Sequence, residues 1–131
     1  MIFSNHLISI VVKYYEYIDD NNLDKVFEFF SDNIIYKRGC LEINGIDEMK
    51  NFYKNFRSIQ KGNHIIEVIN NNEKEVNVHG EFHGTLKNEE NINIKFIDKF
   101  VFENGIIIYR QSIFPDGIDV WNSFPLIFNI Y

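Results

Sequence analysis

The chain has 131 residues, which is the length of a single domain, and 45% of them are hydrophobic, enough to build a core. Its net charge of -6 argues against nucleic acid as a partner, because phosphate binding needs clustered Lys and Arg. Cys40 is the only cysteine, so a disulfide within the chain and a multi-cysteine metal site are both excluded.

The sequence predicts a cytoplasmic protein that does not bind or cross a membrane. A single cysteine fits a reducing compartment. Residues 2–12 are apolar, but no Lys or Arg precedes them and no small-residue cleavage site follows, so we interpret them as the start of a helix. No apolar run approaches the roughly 20 residues that a membrane-spanning helix needs.

Three helices are predicted in the first half of the chain, because apolar residues recur there at spacings of three and four. The first covers residues 7–18, the second residues 23–30 and the third residues 46–56. The third has Asp47 and Glu48 in its first turn, where the helix dipole favours acidic groups. A short strand at residues 34–36 is predicted between the second and third helices.

Strands joined by turns are predicted after Gly62, at residues 64–69, 76–86, 92–102 and 106–114. Because side chains alternate along a strand, one face of the third of these strands carries Ile94, Phe96, Asp98, Phe100 and Phe102. Helices followed by hairpin-linked strands predict an α+β domain with an antiparallel sheet.

The apolar tail, residues 118–131, belongs to the same domain in this prediction, so residues 1–131 form one unit. It contains Trp121, Phe124, Leu126 and Phe128. If these residues were exposed to solvent, they would form an unusually large apolar patch. We therefore expect the tail to pack over the sheet, over a pocket mouth or against a second subunit.

The order of several short segments resembles the nuclear transport factor 2-like superfamily, in its SnoaL-like and ketosteroid isomerase-like branch. The segments are residues 11–15, 22–32, 45–53, 96–102 and 104–106. The resemblance implies a cone-shaped α+β barrel, with three N-terminal helices packed in a curved antiparallel sheet around a cavity that binds a small apolar molecule. It also implies a homodimer, for which the sheet face carrying Ile97 and Val101 is a plausible contact.

Tyr15 and Asp98 are the first catalytic candidates that the resemblance implies. They fall where ketosteroid isomerase carries the tyrosine and the protonated aspartic acid of its oxyanion hole, and an apolar cavity keeps such a carboxyl neutral so that it can donate a hydrogen bond. The alternative for Asp98 is a structural ion pair with Arg38 or Arg110. Arg38 stands at the position of the isomerase's carboxylate base and cannot accept a proton, so steroid isomerisation is not expected.

Epoxide hydrolysis of the limonene type is not expected either. Ser112 falls where that enzyme, another relative, carries one of its aspartates, and no Arg-x-Asp lies in residues 76–86.

His79 and His83 are the candidate acid–base groups, since SnoaL-like cyclases and related dehydratases pair a cavity histidine with an aspartate. A two-residue turn within residues 87–91 would place them, with Glu81, on the Asp98 face. A three-residue turn would place Val78, Phe82 and Leu86 there instead. A metal site at His79, Glu81 and His83 is conceivable, but no further ligand clusters with them and no metal is expected.

His64 opens a strand and is either functional or an edge histidine with its hydrogen bonds satisfied. Arg38 and Arg110 are expected to face inward and either to bind an acidic group on a ligand or to form a buried ion network. The remaining predicted substrate contacts are Tyr36, Phe96, Phe100 and Phe114.

Two functions are consistent with these residues. One is an enzyme that needs no cofactor and catalyses proton transfer, as in isomerisation, cyclisation or dehydration, on an apolar substrate bearing a carbonyl or enol. The alternative is a non-catalytic ligand-binding or protein-association module of the same fold.

Overall fold

The computed structural model describes residues 2–56 and 59–116. Helix α1 spans Ile2–Asp19 and the short helix α2 spans Leu23–Phe27. Helix α3, Ile46–Asn51, continues into a π-helical turn at Phe52–Phe56. The strands are β1 Phe30–Arg38, β2 Leu41–Asn44, β3 Ile59–Asn71, β4 Glu75–Leu86, β5 Asn91–Glu103 and β6 Ile106–Ile113. None of the described helices is long and apolar enough to span a membrane.

The strands form one six-stranded sheet in the order β2-β1-β6-β5-β4-β3. Four of its pairings are antiparallel, as predicted, but β1 and β6 pair in parallel, so the sheet is mixed. These two strands are far apart in sequence, and a long connection lets a pair run in parallel where a hairpin cannot. The predicted architecture of three helices against a curved sheet is confirmed.

The elements differ most from the predicted ones in three places. Phe30 was assigned to the second helix but opens β1, and β3 begins at Ile59 rather than at residue 64. Strand β2 was not predicted. It has only four residues, which is too short for an alternating pattern to stand out, and it pairs with β1 across a turn that contains Gly39 at φ +59°.

The core lies between α1 and the inner face of the sheet. Helix α1 buries Leu7, Val11, Tyr14, Tyr15 and Ile18 there. On the facing strand β5, each alternate residue of the predicted inward face is at most 4% exposed: Ile94, Phe96, Asp98, Phe100 and Phe102. The alternation along β5 therefore predicted this wall of the core correctly.

The β4–β5 hairpin has a three-residue turn, residues 87–89. The amide of Leu86 donates to the carbonyl of Glu90 at 2.8 Å, and the amide of Glu89 donates to the carbonyl of Leu86 at 2.9 Å. This turn pairs Val78 with Asp98 and Phe82 with Ile94. Val78, Phe82 and Leu86 therefore face inward, and the residues that alternate with them face outward.

Gly80 on β4 lies where two neighbours leave no space for a side chain. A Cβ atom there would be 2.4 Å from the carbonyl oxygen of Ile65 and 2.8 Å from the ring of Phe96. We expect Gly80→Ala to lower the free energy of unfolding by about 1–3 kcal/mol, because the backbone must shift to accept it. Urea denaturation checks this against His79→Ala, an exposed change one residue away, and equal midpoints for the two variants would contradict it.

Candidate functional site

A cavity of about 30 Å³ lies between the helices and the inner face of the sheet. Its volume admits about two water molecules or one small functional group. The apolar lining is Ile59, Phe82, Ile94, Phe96 and Phe114. The polar lining is Tyr14, Arg38, Tyr53, His64, Asp98, Arg110 and Ser112. A cavity this rich in polar groups can orient a ligand through hydrogen bonds.

Asp98 is the centre of the polar network and is 2% exposed. Its Oδ2 accepts hydrogen bonds from the Tyr15 hydroxyl at 2.5 Å and from Arg110 Nη2 at 2.9 Å. Its Oδ1 accepts one from the Ser112 hydroxyl at 2.5 Å. The β5–β6 register produces this arrangement, because it sets Ser112 directly opposite Asp98 and Arg110 opposite Phe100, the next inward residue.

The contacts keep Asp98 ionised. Burial acts to raise its pKa, but the charge of Arg110 and the hydrogen bonds from Ser112, Tyr15 and Arg110 outweigh burial and lower the pKa below its usual range. The pKa of Tyr15 is raised well above its usual value by burial and by the charge of Asp98, so Tyr15 keeps its proton. The ion pair that was the alternative for Asp98 is the arrangement found, in place of the neutral carboxyl that the resemblance implied.

Arg38 is joined to this network by a directed chain of hydrogen bonds. The proton of Ser112 goes to Asp98, so Tyr36 donates to Ser112 Oγ at 2.9 Å and accepts from Arg38 Nη1 at 2.7 Å. The Arg38 guanidinium carbon lies 5.2 Å and 5.0 Å from the ring centroids of Phe52 and Phe114. These contacts hold Arg38 in the cavity wall, 8% exposed.

Arg110 also contacts a pair of tyrosines. Its Nη1 donates to the hydroxyls of Tyr14 and Tyr53, the latter at 2.8 Å, and the two hydroxyls lie 2.7 Å apart. Burial opposes its charge, but Asp98 and the tyrosines outweigh burial and raise the pKa of Arg110 well above its usual value. Its Nε is buried without a hydrogen-bond partner among the residues described.

His64 lies in the cavity wall beside Asp19, which ends α1. The two side chains meet with Nδ1 2.5 Å from Asp19 Oδ1, and Asp19 Oδ2 accepts the backbone N–H of His64 at 2.9 Å. The imidazole packs against Tyr15 and Phe82, with ring centroids 4.9 Å and 4.7 Å away. Its side chain is 11% exposed. The arrangement is that of a histidine oriented by a carboxylate.

The profile of the SnoaL-like domain matches residues 11–110 of the sequence. The chain belongs to the SnoaL-like domain family. No curated protein matches the sequence significantly.

Solved structures share the fold of this SnoaL-like domain. A nuclear transport factor 2-like protein of unknown function from Burkholderia pseudomallei has a TM-score of 0.79 at 18% identity, over 93% of this chain and 97% of that one. A putative SnoaL-like polyketide cyclase from Jannaschia has a TM-score of 0.77 at 11% identity, over 86% of this chain and 88% of that one. An LEH-like epoxide hydrolase from M. tuberculosis has a TM-score of 0.76 at 16% identity, over 92% of this chain and 88% of that one. Sequence identities this low show only that the folds are alike, so the chemistry of this chain has to be inferred from its own residues.

The two histidines predicted as cavity bases lie outside the cavity of the SnoaL-like domain. The three-residue turn puts His79 and His83 on the outer face of the sheet, where both are exposed. His83 Nε2 lies 2.7 Å from Glu81 Oε1. Of the two turn lengths that the sequence left open, the three-residue turn is the one found, so these two candidate acid–base groups do not face Asp98. Within the described ranges, no three His, Cys, Asp or Glu side chains cluster as metal ligands would.

The other predicted site residues lie in or directly behind the cavity. Arg38, Arg110, Phe96 and Phe114 line it, together with Asp98. Tyr15, Tyr36 and Phe100 do not line it: each is at most 2% exposed and contacts the charged network from behind. His64, whose role the sequence left open, lines the cavity, but its partner Asp19 could not be predicted because it is 45 positions away and only the fold brings the two together. The apolar tail from residue 118 lies outside the described residues.

Proposed function

We propose that this protein binds a small molecule bearing a carbonyl or enol oxygen in the cavity and moves a proton on it, without a cofactor. His64 is the proton acceptor and donor in this proposal. The observation that carries it is the contact of His64 with Asp19 at 2.5 Å, in the wall of a cavity that also holds two arginines and an ionised aspartate.

Asp19 prepares His64 for this role. A carboxylate at Nδ1 fixes the tautomer in which Nδ1 carries the hydrogen, so Nε2 is the basic nitrogen. The same carboxylate stabilises the imidazolium that forms when Nε2 takes a proton. Packing against Tyr15 and Phe82 restricts rotation of the ring. Asp98 and Tyr15 hold Arg110 in place rather than exchanging protons with the substrate.

The substrate contacts that we propose are Arg38, Arg110, Phe96 and Phe114. A ligand larger than the present cavity needs its wall to move, and Ile59 and Phe114 are the apolar lining residues that are only partly buried. Small-molecule binding has support in a structure of the same fold, TerC, which was co-crystallised with polyporic acid. TerC has a TM-score of 0.73 at 12% identity, over 85% of this chain and 92% of that one.

The proposal is tested by deuterium exchange at carbon in a set of cyclic ketones and 1,3-diketones, followed by NMR in heavy water. We expect the wild-type protein to accelerate exchange of at least one compound over buffer. His64→Gln should reduce that acceleration by about 100-fold or more, because general base catalysis contributes roughly that much. His83→Gln is the matched control and should keep the wild-type rate. An equal rate for His64→Gln, or no acceleration by folded protein, would contradict the proposal.

A second function, binding without catalysis, is favoured by the pairing of Asp98 with Arg110 at 2.9 Å. An aspartate committed to an arginine, beside a narrow cavity, is what a binding module would also show. Saturable ligand binding by a protein that exchanges no proton at carbon would select this function.

We further propose that the protein is a cytoplasmic homodimer that pairs through the outer face of the sheet. Across that face, the register sets Ile113 beside Ile97, Ile97 beside His79 and His79 beside Val68. Ile113 and Val68 are 47% and 52% exposed, which is unusual for apolar side chains and favours burial against a copy. Light scattering should give a dimer that Val68→Lys weakens, and a monomeric wild-type protein would contradict the proposal.

A further inference from the structure

We infer that the ligand site continues from the cavity into the groove beside it, and that the ligand is a carbonyl or enol compound with an uncharged apolar chain. In this arrangement the oxygen-bearing end of the ligand lies in the cavity and the chain lies in the groove. The inference rests on the proposed function for the oxygen-bearing end, and it adds the chain and the place where the chain binds.

The cavity is too small to hold a whole ligand of this kind. Its volume is about 30 Å³, whereas pockets for drug-sized molecules measure about 300–1,000 Å³. The groove has a volume of about 260 Å³ and lies between the end of α1 and the beginning of β3. Most of the space that a ligand needs is therefore in the groove.

Two apolar side chains, Ile59 and Phe82, belong to the walls of both the cavity and the groove. The ring of Phe82 lies against the backbone of Gly62 and Gly84, which are directly paired across β3 and β4. A Cβ atom on these glycines would be 2.3 Å and 2.5 Å from the ring. The ring therefore occupies the space of two missing side chains, close to the sheet, and we place the passage from cavity to groove between Phe82 and Ile59.

The lining of the groove suits a chain that is apolar and uncharged. Its apolar wall consists of Ile18, which is 4% exposed, together with Ile59 and Phe82. Asp20 and Lys61 are exposed residues of the same lining. Because the lining carries charges of both signs, it does not produce the field of one sign that attracts an ionic group. The burial of apolar surface is then what stabilises a ligand there.

The His64–Asp19 pair lies across the boundary between the cavity and the groove. His64 lines the cavity, and Asp19 lines the groove. The ring centroid of His64 is 4.7 Å from that of Phe82, which both walls share. A ligand with its oxygen in the cavity and its chain in the groove therefore brings the carbon next to the carbonyl group to His64. That carbon carries the proton that the proposed reaction removes.

The test is binding of a homologous series of diketones, from acetylacetone to hexanoylacetone, measured by isothermal titration calorimetry. We expect the affinity to rise with chain length, by up to about fourfold for each methylene that the groove buries. Ile18→Ala changes the groove and not the cavity lining. It should weaken binding of hexanoylacetone about tenfold and leave acetylacetone within about twofold of the wild-type affinity.

Ile94→Ala is the matched control, since Ile94 is equally buried and lines the cavity and not the groove. It should change the affinities for both diketones by the same factor. Circular dichroism confirms that each variant is folded. If alanine prevents folding, Ile18→Val and Ile94→Val replace the pair, with the same pattern expected at a smaller size.

An affinity that does not depend on chain length in the wild-type protein would overturn the inference, and so would equal losses for the two diketones in Ile18→Ala. Binding that rises with chain length and responds to Ile18→Ala, without deuterium exchange at carbon, would refute the proposed catalysis and leave the inference standing. Deuterium exchange by a protein whose affinity is the same for both diketones would refute the inference alone.

Discussion

Replacing Arg110 by methionine is expected to lower the free energy of unfolding by about 3–5 kcal/mol at neutral pH, the cost of breaking a buried ion pair on one side. The side chains of Arg110 and Asp98 are 4% and 3% exposed, so water cannot replace the lost partner. Methionine retains most of the volume and the packing against Phe100. Urea denaturation measures the loss, and a change below about 1 kcal/mol would show that Asp98 does not depend on Arg110.

The same variant should reverse the pH dependence that Asp98 contributes. In the wild-type protein the folded pKa of Asp98 is lowered, so its contribution is present above the unfolded pKa and is lost as the pH falls through the folded one. Without Arg110, burial dominates and raises the pKa of Asp98, so folding takes up a proton and stability rises as the pH falls. The control is Arg110→Met with Asp98→Asn, which should remove this dependence. Parallel stability profiles for wild type and Arg110→Met would contradict the account.

Replacing Asp19 by asparagine is expected to slow deuterium exchange at carbon by about 10²–10⁴-fold, because His64 without its carboxylate no longer acts as the base. The asparagine amide can donate to Nδ1, which would favour the tautomer with its hydrogen on Nε2, and that nitrogen could then no longer accept a proton. Initial exchange rates compare Asp19→Asn with Asp20→Asn, an exposed neighbour whose rate should not change.

The affinity for 4-nitrophenolate, measured by its visible absorbance, distinguishes a slower proton transfer from loss of the binding site. Asp19→Asn should bind 4-nitrophenolate about as well as the wild-type protein, because Asp19 does not line the cavity. A rate equal to that of the wild-type protein would show that His64 does not need its carboxylate. A parallel loss of affinity and rate would show that Asp19 only stabilises the structure.

The inner face of β5 could be predicted from the sequence because alternation depends only on neighbouring residues. The inward face of β4 could not be predicted. Two turn lengths in residues 87–91 were both compatible with the sequence pattern, and changing from one to the other turns every side chain of β4 to the opposite face. The face of His79 and His83 was therefore left open, and the structure puts both candidates outside the cavity. A side chain's face depends on its strand partner as well as on its own strand.

The charge of Asp98 also depends on long-range pairing. On the predicted inner face of β5, Asp98 lies among aromatic residues, where burial would keep an isolated carboxyl neutral. It left open whether Arg38 or Arg110 would reach it, because that is set by the β5–β6 register. The His64–Asp19 contact joins the end of a helix to a strand and has no local signal. The alternation along a single strand was predictable here, whereas the register between strands and the contacts between distant segments were not.

The proposed chemistry requires an ionised Asp98 held by Arg110, which leaves His64 as the proton acceptor. The most direct measurement is the carboxyl ¹³C chemical shift of Asp98 in the wild-type protein as a function of pH. We predict the shift of an ionised carboxylate from neutral pH down to about pH 4, where an unperturbed aspartate is already about half protonated. A protonated Asp98 at neutral pH would contradict the account and restore the oxyanion hole of the isomerase type.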